Sequence, residues 1–123
     1  MNELGVRRLL GEALLPRAEV NTADTTVGAA TLTAAAVVGG VITRSGSTAA
    51  YTDTTPTAAA TADAMPRFAE INQSWLLKIK NTVAFAETLA AGTGWTLSGI
   101  LIVPPLSMGL FLVTYTAAGT FTC

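Results

Sequence analysis

From Trp75 onward, apolar and polar residues alternate in a way that predicts strands. Trp75, Leu77 and Ile79 fall on one face, while Leu76, Lys78 and Lys80 fall on the other, the side the lysines would turn to water. Asn81-Thr82 reads as a turn. Val83 to Leu89 reads as a second short strand, with Val83, Phe85 and Glu87 opposite Ala84, Ala86 and Thr88 and Glu87 on an exposed face. Ala91-Gly92-Thr93-Gly94 supplies turn residues. The next strand, Trp95 to Val103, is stopped by Pro104-Pro105, which cannot donate to a ladder. Met108 to Thr116 is a long apolar strand, and Ala117 to Gly119 turns into a last one at Thr120 to Thr122.

The first half has a different texture. Val6, Leu9, Leu10, Ala13 and Leu14 recur at helical spacing, so Asn2 to Leu15 predicts an amphipathic helix that Pro16 ends. Such a helix either packs on its own domain or serves as an arm docked on a neighbour. Arg17 to Gly28 is rich in Thr, Asn and Asp, lacks periodicity and reads as an extended linker. Thr31 to Ala36 is Ala/Thr-rich and carries no clear period. Val37 to Arg44 predicts a strand with Val38 and Ile42 in the core around a Gly39-Gly40 bend. After the Ser45-Gly46-Ser47 turn comes a short strand at Tyr51-Thr52. Thr55 as cap and Pro56 as first helical residue then predict a helix to Ala64. Short strands at this spacing, about six or seven of them, predict an all-β fold, mainly antiparallel. The expectation is a single β-sandwich or barrel, jelly-roll-like, over residues 37–123, with one short helix. Residues 1–36 are then an N-terminal helical or extended arm and linker.

Composition adds an expectation about surfaces. The 123 residues suit one domain, half are hydrophobic, and only 12% are charged, against a usual fraction of roughly 25%. A surface so poor in charge is suited to burial against copies of itself or another protein. The net charge of -1, with Arg7-Arg8 the only adjacent basic pair, gives no stripe for nucleic acid. Thr88 to Cys123 lacks charge entirely. Its glycines and Pro104-Pro105 nevertheless cut it into pieces shorter than the roughly 20 residues of a spanning helix, so no membrane segment is expected. Glu12 and Pro16 interrupt any apolar run of the signal-peptide kind.

Candidate chemistry is sparse. With no histidine and with Cys123 as the sole thiol, histidine catalysis, an internal disulfide and thiolate metal clusters are excluded. Ser45, Ser47, Ser74, Ser98 and Ser107 therefore lack the base of a Ser-His-Asp triad. Among carboxylates, Asp53 suits a turn or cap in Thr52-Asp53-Thr54-Thr55-Pro56, Asp63 and Glu70 suit solvated positions, and no spacing pairs any of them with Glu87. No enzyme, cofactor or metal site is expected. Trp75, Trp95, Phe111 and Tyr115 lie within strand patterns, where large aromatics pack in cores or interfaces, the alternative being a sugar-stacking platform.

One stretch carries a resemblance. Asn81-Thr82, then Thr88-Leu89-Ala90-Ala91-Gly92-Thr93-Gly94-Trp95-Thr96-Leu97-Ser98-Gly99, then Phe111-Leu112-Val113 resembles a segment of small tailed-bacteriophage virion proteins of the capsid decoration (cement) or head-fibre type. Ile42-Thr43-Arg44-Ser45-Gly46 and Thr52 to Ala59 fit the same pattern, so the resemblance spans about residues 41–116 and omits the first 36. It implies a homo-oligomeric β-fold on the capsid exterior without catalytic residues. The expected partners are the major capsid protein and further copies of the chain, as a homotrimer with a dimer as the alternative. Leu9, Leu10, Leu14, Trp75 and Trp95 are the candidate contacts. The competing reading is a fibre or tail-tip module that binds a receptor or glycan through Trp75 or Trp95.

Overall fold

Two threonines set equivalent local structures. The Thr33 hydroxyl accepts from the Ala36 amide at 3.2 Å and caps helix α1, Ala34–Gly39. Thr57 accepts from Ala60 at 3.2 Å and caps helix α2, Ala58–Ala64. Helices this short gain little from propensity and depend on packing, which Ala36, Val37 and Val38 provide for α1 and Ala58 and Thr61 for α2. Gly40 ends α1 at φ 94, a left-handed cap that glycine adopts without strain, and its amide returns to the Ala36 and Val37 carbonyls. These features belong to a computed structural model that describes residues 19–65, 70–117 and 120–122.

Around the helices run β1 (Val20–Asp24), β2 (Ala30–Thr31), β3 (Gly40–Arg44), β4 (Tyr51–Thr54), β5 (Ser74–Asn81), β6 (Glu87–Ala90), β7 (Trp95–Thr96), β8 (Ile102–Val103), β9 (Ser107–Ala117) and β10 (Thr120–Thr122). They form a six-stranded sheet ordered β1-β3-β5-β9-β10-β7 and a four-stranded sheet ordered β2-β4-β6-β8. Strands β1 to β6 alternate between the two sheets, and β1, β3 and β5 are parallel neighbours, as are β2, β4 and β6. The chain therefore winds through three turns of a two-sided solenoid, with α1 and α2 returning it from the smaller sheet to the larger. The winding ends in antiparallel pairings, β8 on β6 and β9 on β5. The inner faces of both sheets share one core, built from Leu32, Ile42, Leu77, Ile79, Leu89, Val103, Phe111 and Val113. Trp95 belongs to the same core.

The β-rich expectation holds, with corrections. The sheets are mixed, not mainly antiparallel, and they do not close into a barrel. Parallel pairing follows from the winding, since each turn re-enters a sheet in the same direction. Two helices are present among the described residues where one was expected, and α2 is capped by Thr57, two residues after Thr55. Thr55 instead accepts from the Gly92 amide at 2.7 Å. A side chain at Gly92 would collide with the Thr55 and Pro56 carbonyls, so glycine is required for that approach.

Residues 20–31, read from sequence as mostly linker, supply β1 and β2 to the two sheets. The strand expected at 37–44 begins as helix and becomes strand only at Gly40, although Val38 and Ile42 are buried as expected. The strand expected at 83–89 is confined to 87–90. The one expected at 95–103 breaks into β7 and β8, which belong to different sheets. Met108 to Thr116 and Thr120 to Thr122 are strands as expected. The helix and arm expected over residues 2–16 lie outside the described residues.

Candidate functional site

Winding brings three charged residues and two uncharged polar ones into the interior of the second and third turns. On the larger sheet Asp24, Arg44 and Asn81 occupy one position on successive strands, Asp24 beside Arg44 and Arg44 beside Asn81. On the smaller sheet Tyr51 lies beside Glu87, and Asp53 is one inward position further along β4. Arg44, Asp53 and Glu87 are completely buried, and Asn81 and Tyr51 nearly so. Asp24 remains partly exposed at the rim.

Arg44 organises the group. Its Nε donates to Asp53 Oδ2 at 2.6 Å and its Nη2 to Oδ1 at 3.1 Å, the two-pronged geometry that suits a guanidinium best. Nη2 also donates to the Gly28 carbonyl at 2.7 Å, while Nη1 donates to Asp24 Oδ1 at 3.1 Å and the Thr26 carbonyl at 3.2 Å. The guanidinium carbon lies 4.7 Å from the centre of the Tyr51 ring, over its electron-rich face. Tyr51 donates to Asn81 Oδ1 at 2.8 Å, and Glu87 Oε2 is 3.4 Å from the same hydroxyl. Asn81 Nδ2 in turn donates to the Phe85 and Pro104 carbonyls at 2.7 and 3.2 Å.

Protonation follows from these surroundings. Burial first, and the Asp53 carboxylate second, push the Glu87 carboxyl up to about 9, so it is a neutral acid at pH 7. Its proton is what Glu87 can offer to the neighbouring Asp53 carboxylate, a hydrogen bond that holds it protonated. Burial and the Glu87 charge raise the Tyr51 hydroxyl as well. Burial alone would lower Arg44, but its bonds to Asp53 outweigh that and raise it. Asp24 is lowered, because Thr26 hydrogen bonds and the Arg44 charge outweigh its desolvation.

Two neighbouring carboxyl groups, one of them a neutral acid, are the raw material of acid–base catalysis, yet Asp53 and Glu87 have no solvent exposure through which a substrate could reach them. The cluster is therefore read as structural: a buried arginine satisfied by two carboxylates and backbone carbonyls fixes which strands stack. Sequence reasoning placed Asp53 in a turn or cap and Glu87 on an exposed face, and both are corrected to the interior. Asp63 and Glu70 are exposed. Among the described residues no group of three or more His, Cys, Asp or Glu could hold a metal ion, and no helix is long and apolar enough to cross a membrane.

A second candidate lies on the outer face of the larger sheet. Along β9, Phe111 and Val113 point into the core, so Met108, Leu110 and Leu112 point outward, at 51, 62 and 58% exposure. Leu76 of β5, 46% exposed, sits directly beside Leu112. Lys78 and Lys80 border this stripe beside Leu110 and Met108. Lys78 is held by both Glu19 oxygens at 3.0 Å, whereas Lys80 has no ion pair among the described residues. At one end the stripe runs into a cleft of about 370 Å³ lined by Lys80, Asn81, Thr82, Leu106, Ser107 and Met108.

The two tryptophans expected at contacts are placed otherwise. Trp95 is buried in the core, which removes it from the surface. Trp75 is half-buried against the core, and its indole donates to the Val37 carbonyl at 3.0 Å. Leu9, Leu10 and Leu14 lie outside the described residues. Comparison with protein families, curated proteins and solved structures finds no match for the chain.

Proposed function

We propose that this chain is a structural virion protein, a decoration or cement protein that binds the outside of a phage head and stabilises contacts between major capsid subunits. The observation that carries the reading is the outward aliphatic stripe of Leu76, Met108, Leu110 and Leu112 at the middle of a sheet. A contiguous exposed apolar stripe of this kind suits a surface that works by contact. The sequence resemblance centred on Thr88 to Gly99 supports it independently. The work of such a protein is mechanical. Apolar area buried across a subunit boundary, at about 25 cal/mol per Å², opposes separation of the shell, and many copies on one particle act together. The chain associates with itself, as a homotrimer, and uses no cofactor. Burial of Trp95 leaves the half-buried Trp75 as the one of these two tryptophans that a glycan-binding tip could still use, which weakens that alternative.

Residues 1–16, with Leu9, Leu10 and Leu14, are the proposed contact with a neighbouring capsid subunit. Phage heads prepared without this protein should bind the full chain to saturation in a sedimentation assay. They should lose it when residues 1–16 are deleted, while circular dichroism still reports a folded β-domain. A truncated chain that decorates heads at full occupancy removes the arm from the mechanism, and a full chain that never sediments with heads removes the decoration reading itself.

A further inference from the structure

We propose that the open edge of β9, from Ser107 to Val113, is completed by a strand from a major capsid subunit: an extended, uncharged segment with apolar side chains at alternate positions. The inference rests on the decoration reading for the source of that strand, and deepens it by naming what the partner presents.

Although β9 stands fourth of six in the larger sheet, only part of it is paired on both sides. Strand β5 runs beside it from Ser107 to Thr114, whereas β10 meets only Thr114, Tyr115 and Ala117. Among the described residues no strand pairs with the β10 side of β9 from Ser107 to Val113. Tyr115 fixes which main-chain groups lie on that side. Its amide donates to the Gln73 carbonyl at 2.9 Å, and its carbonyl accepts from the Asn72 amide at 2.6 Å, so it faces the β5 side. In an antiparallel ladder alternate residues face alternate sides. Gly109, Phe111 and Val113 therefore bond to β5, while the N–H and C=O groups of Met108, Leu110 and Leu112 point out of the sheet edge. The chemistry complementary to such a row is the main chain of another strand.

The other edges are guarded and this one is not. Natural sheets protect their edges by shortness, charge, proline or a bulge. Strands β2, β7 and β8 have two residues each, and β1, with five, carries Asp24 and follows Glu19. Residues 107–113 of β9 hold neither charge nor proline, and their register with β5 runs without a shift. They exceed the roughly 5–6 residues of a typical strand, so a whole partner strand fits. Its alternate side chains would lie beside Met108, Leu110 and Leu112, all exposed aliphatics. A charge placed there would lose water without gaining a partner, so that register must be apolar. A copy of this chain is a poorer occupant. Pairing the edge with itself needs a two-fold axis, which a homotrimer lacks, and a ring of three needs a second edge of matching length, which the described strands do not offer.

Proline at position 110 tests the edge, because it removes an N–H that the fold itself does not use. Phage heads prepared without this protein should bind Leu110→Pro about tenfold or more weakly than the wild type, with an unchanged circular dichroism spectrum. Leu110→Val keeps the N–H and an apolar side chain and should bind nearly as well as the wild type. Hydrogen exchange on the wild-type chain asks the same question without a variant, should Leu110→Pro fail to fold. The amides of Met108, Leu110 and Leu112 should exchange rapidly in the free chain and slowly on heads, while those of Phe111 and Val113 are slow in both. A folded Leu110→Pro chain that decorates heads as the wild type does overturns the proposal, and so do edge amides that stay fast on heads; the decoration reading survives both. Edge amides already slow in the free chain overturn it too. Slowing that grows with protein concentration puts a second copy on the edge, and slowing at every concentration puts the chain's own residues there. A wild-type chain that never sediments with heads overturns the decoration reading and, with it, the source of the strand.

Discussion

The interior beside Arg44 and the exterior of β9 are opposites, and each inverts the ordinary arrangement. Arg44, Asp53 and Glu87 have no solvent exposure, while Met108, Leu110 and Leu112 are each more than half exposed in the single chain. Buried charge is poor evidence of stability, because desolvation offsets much of the attraction, but it makes wrong strand stacking expensive. Exposed aliphatics contribute nothing to folding a single chain and become useful only when covered. One region therefore specifies how the chain winds onto itself, and the other is a surface that the proposed contacts would cover. A protein with 12% charged residues that places three of its fifteen inside has little charge left to guard its surface.

The largest expected effect breaks the interior. Arg44→Met leaves Asp53 as a buried carboxylate without its cation, and loss of one partner of such a pair costs about 3–5 kcal/mol. Urea unfolding should show this as a lower midpoint. Adding Asp53→Leu to the same chain should recover most of the loss, because the orphaned charge is gone. No recovery in the double variant would mean that Arg44 acts mainly through the Gly28 and Thr26 carbonyls, and not through the ion pair.

Leu76 and Leu77 sharpen the contrast within one strand, since they are neighbours on opposite faces at 46 and 1% exposure. Measured at a protein concentration low enough that the chain sediments as a single species, Leu77→Ala should cost about 2–4 kcal/mol by opening a cavity. Leu76→Ala should cost less than about 0.5 kcal/mol. Equal costs at the two positions would mean that the outer face is already covered within the single chain, and the contrast between the regions would collapse.

That alternation on β5 was legible in the sequence because Lys78 and Lys80 mark its outer face, and β9 was legible to within a residue at each end because Pro104-Pro105 and the turn at Ala117 to Gly119 flank one apolar run. The winding was not read. Residues 20–36 are mostly small, and Ala and Thr give no period that separates strand from linker. The available signal was a repeat: Thr33-Ala34-Ala35-Ala36 recurs 24 residues later as Thr57-Ala58-Ala59-Ala60, each a helix start at the same point of a turn. Without the winding the buried cluster could not be seen. Arg44 stands 20 residues after Asp24 and 37 before Asn81, unequal spacings that follow no motif, and a Glu87 that alternates with other residues along a strand looks solvated until the strand's inner face is known.

Glu87 supplies the smallest effect and the most specific one, because its proton distinguishes a region that tolerates charge from one that only contains it. Burial and Asp53 hold its carboxyl at about 9 in the folded chain, whereas an unfolded glutamate releases its proton near 4.5. Folded protein thus keeps a proton that unfolded protein loses. The stabilisation from Glu87 is complete below pH 4.5, declines as pH rises, and is fully lost only above 9. The slope between those values is at most about 1.4 kcal/mol per pH unit. Asp24, held below its ordinary value, works in the opposite sense and withdraws stability only in acid. Facing Glu87 from β3, β4 and β5 are Arg44, Tyr51, Asp53 and Asn81, and Glu87→Gln keeps the shape they enclose while removing the proton that titrates. At pH 8 the variant should be about 1–3 kcal/mol more stable than the wild type, with a flatter profile between pH 5 and 9. At pH 4, where both carry a neutral group, the two should differ little. An unchanged slope in the variant would mean that Glu87 is already ionised in the fold, and that the interior holds one more charge than Arg44 can compensate.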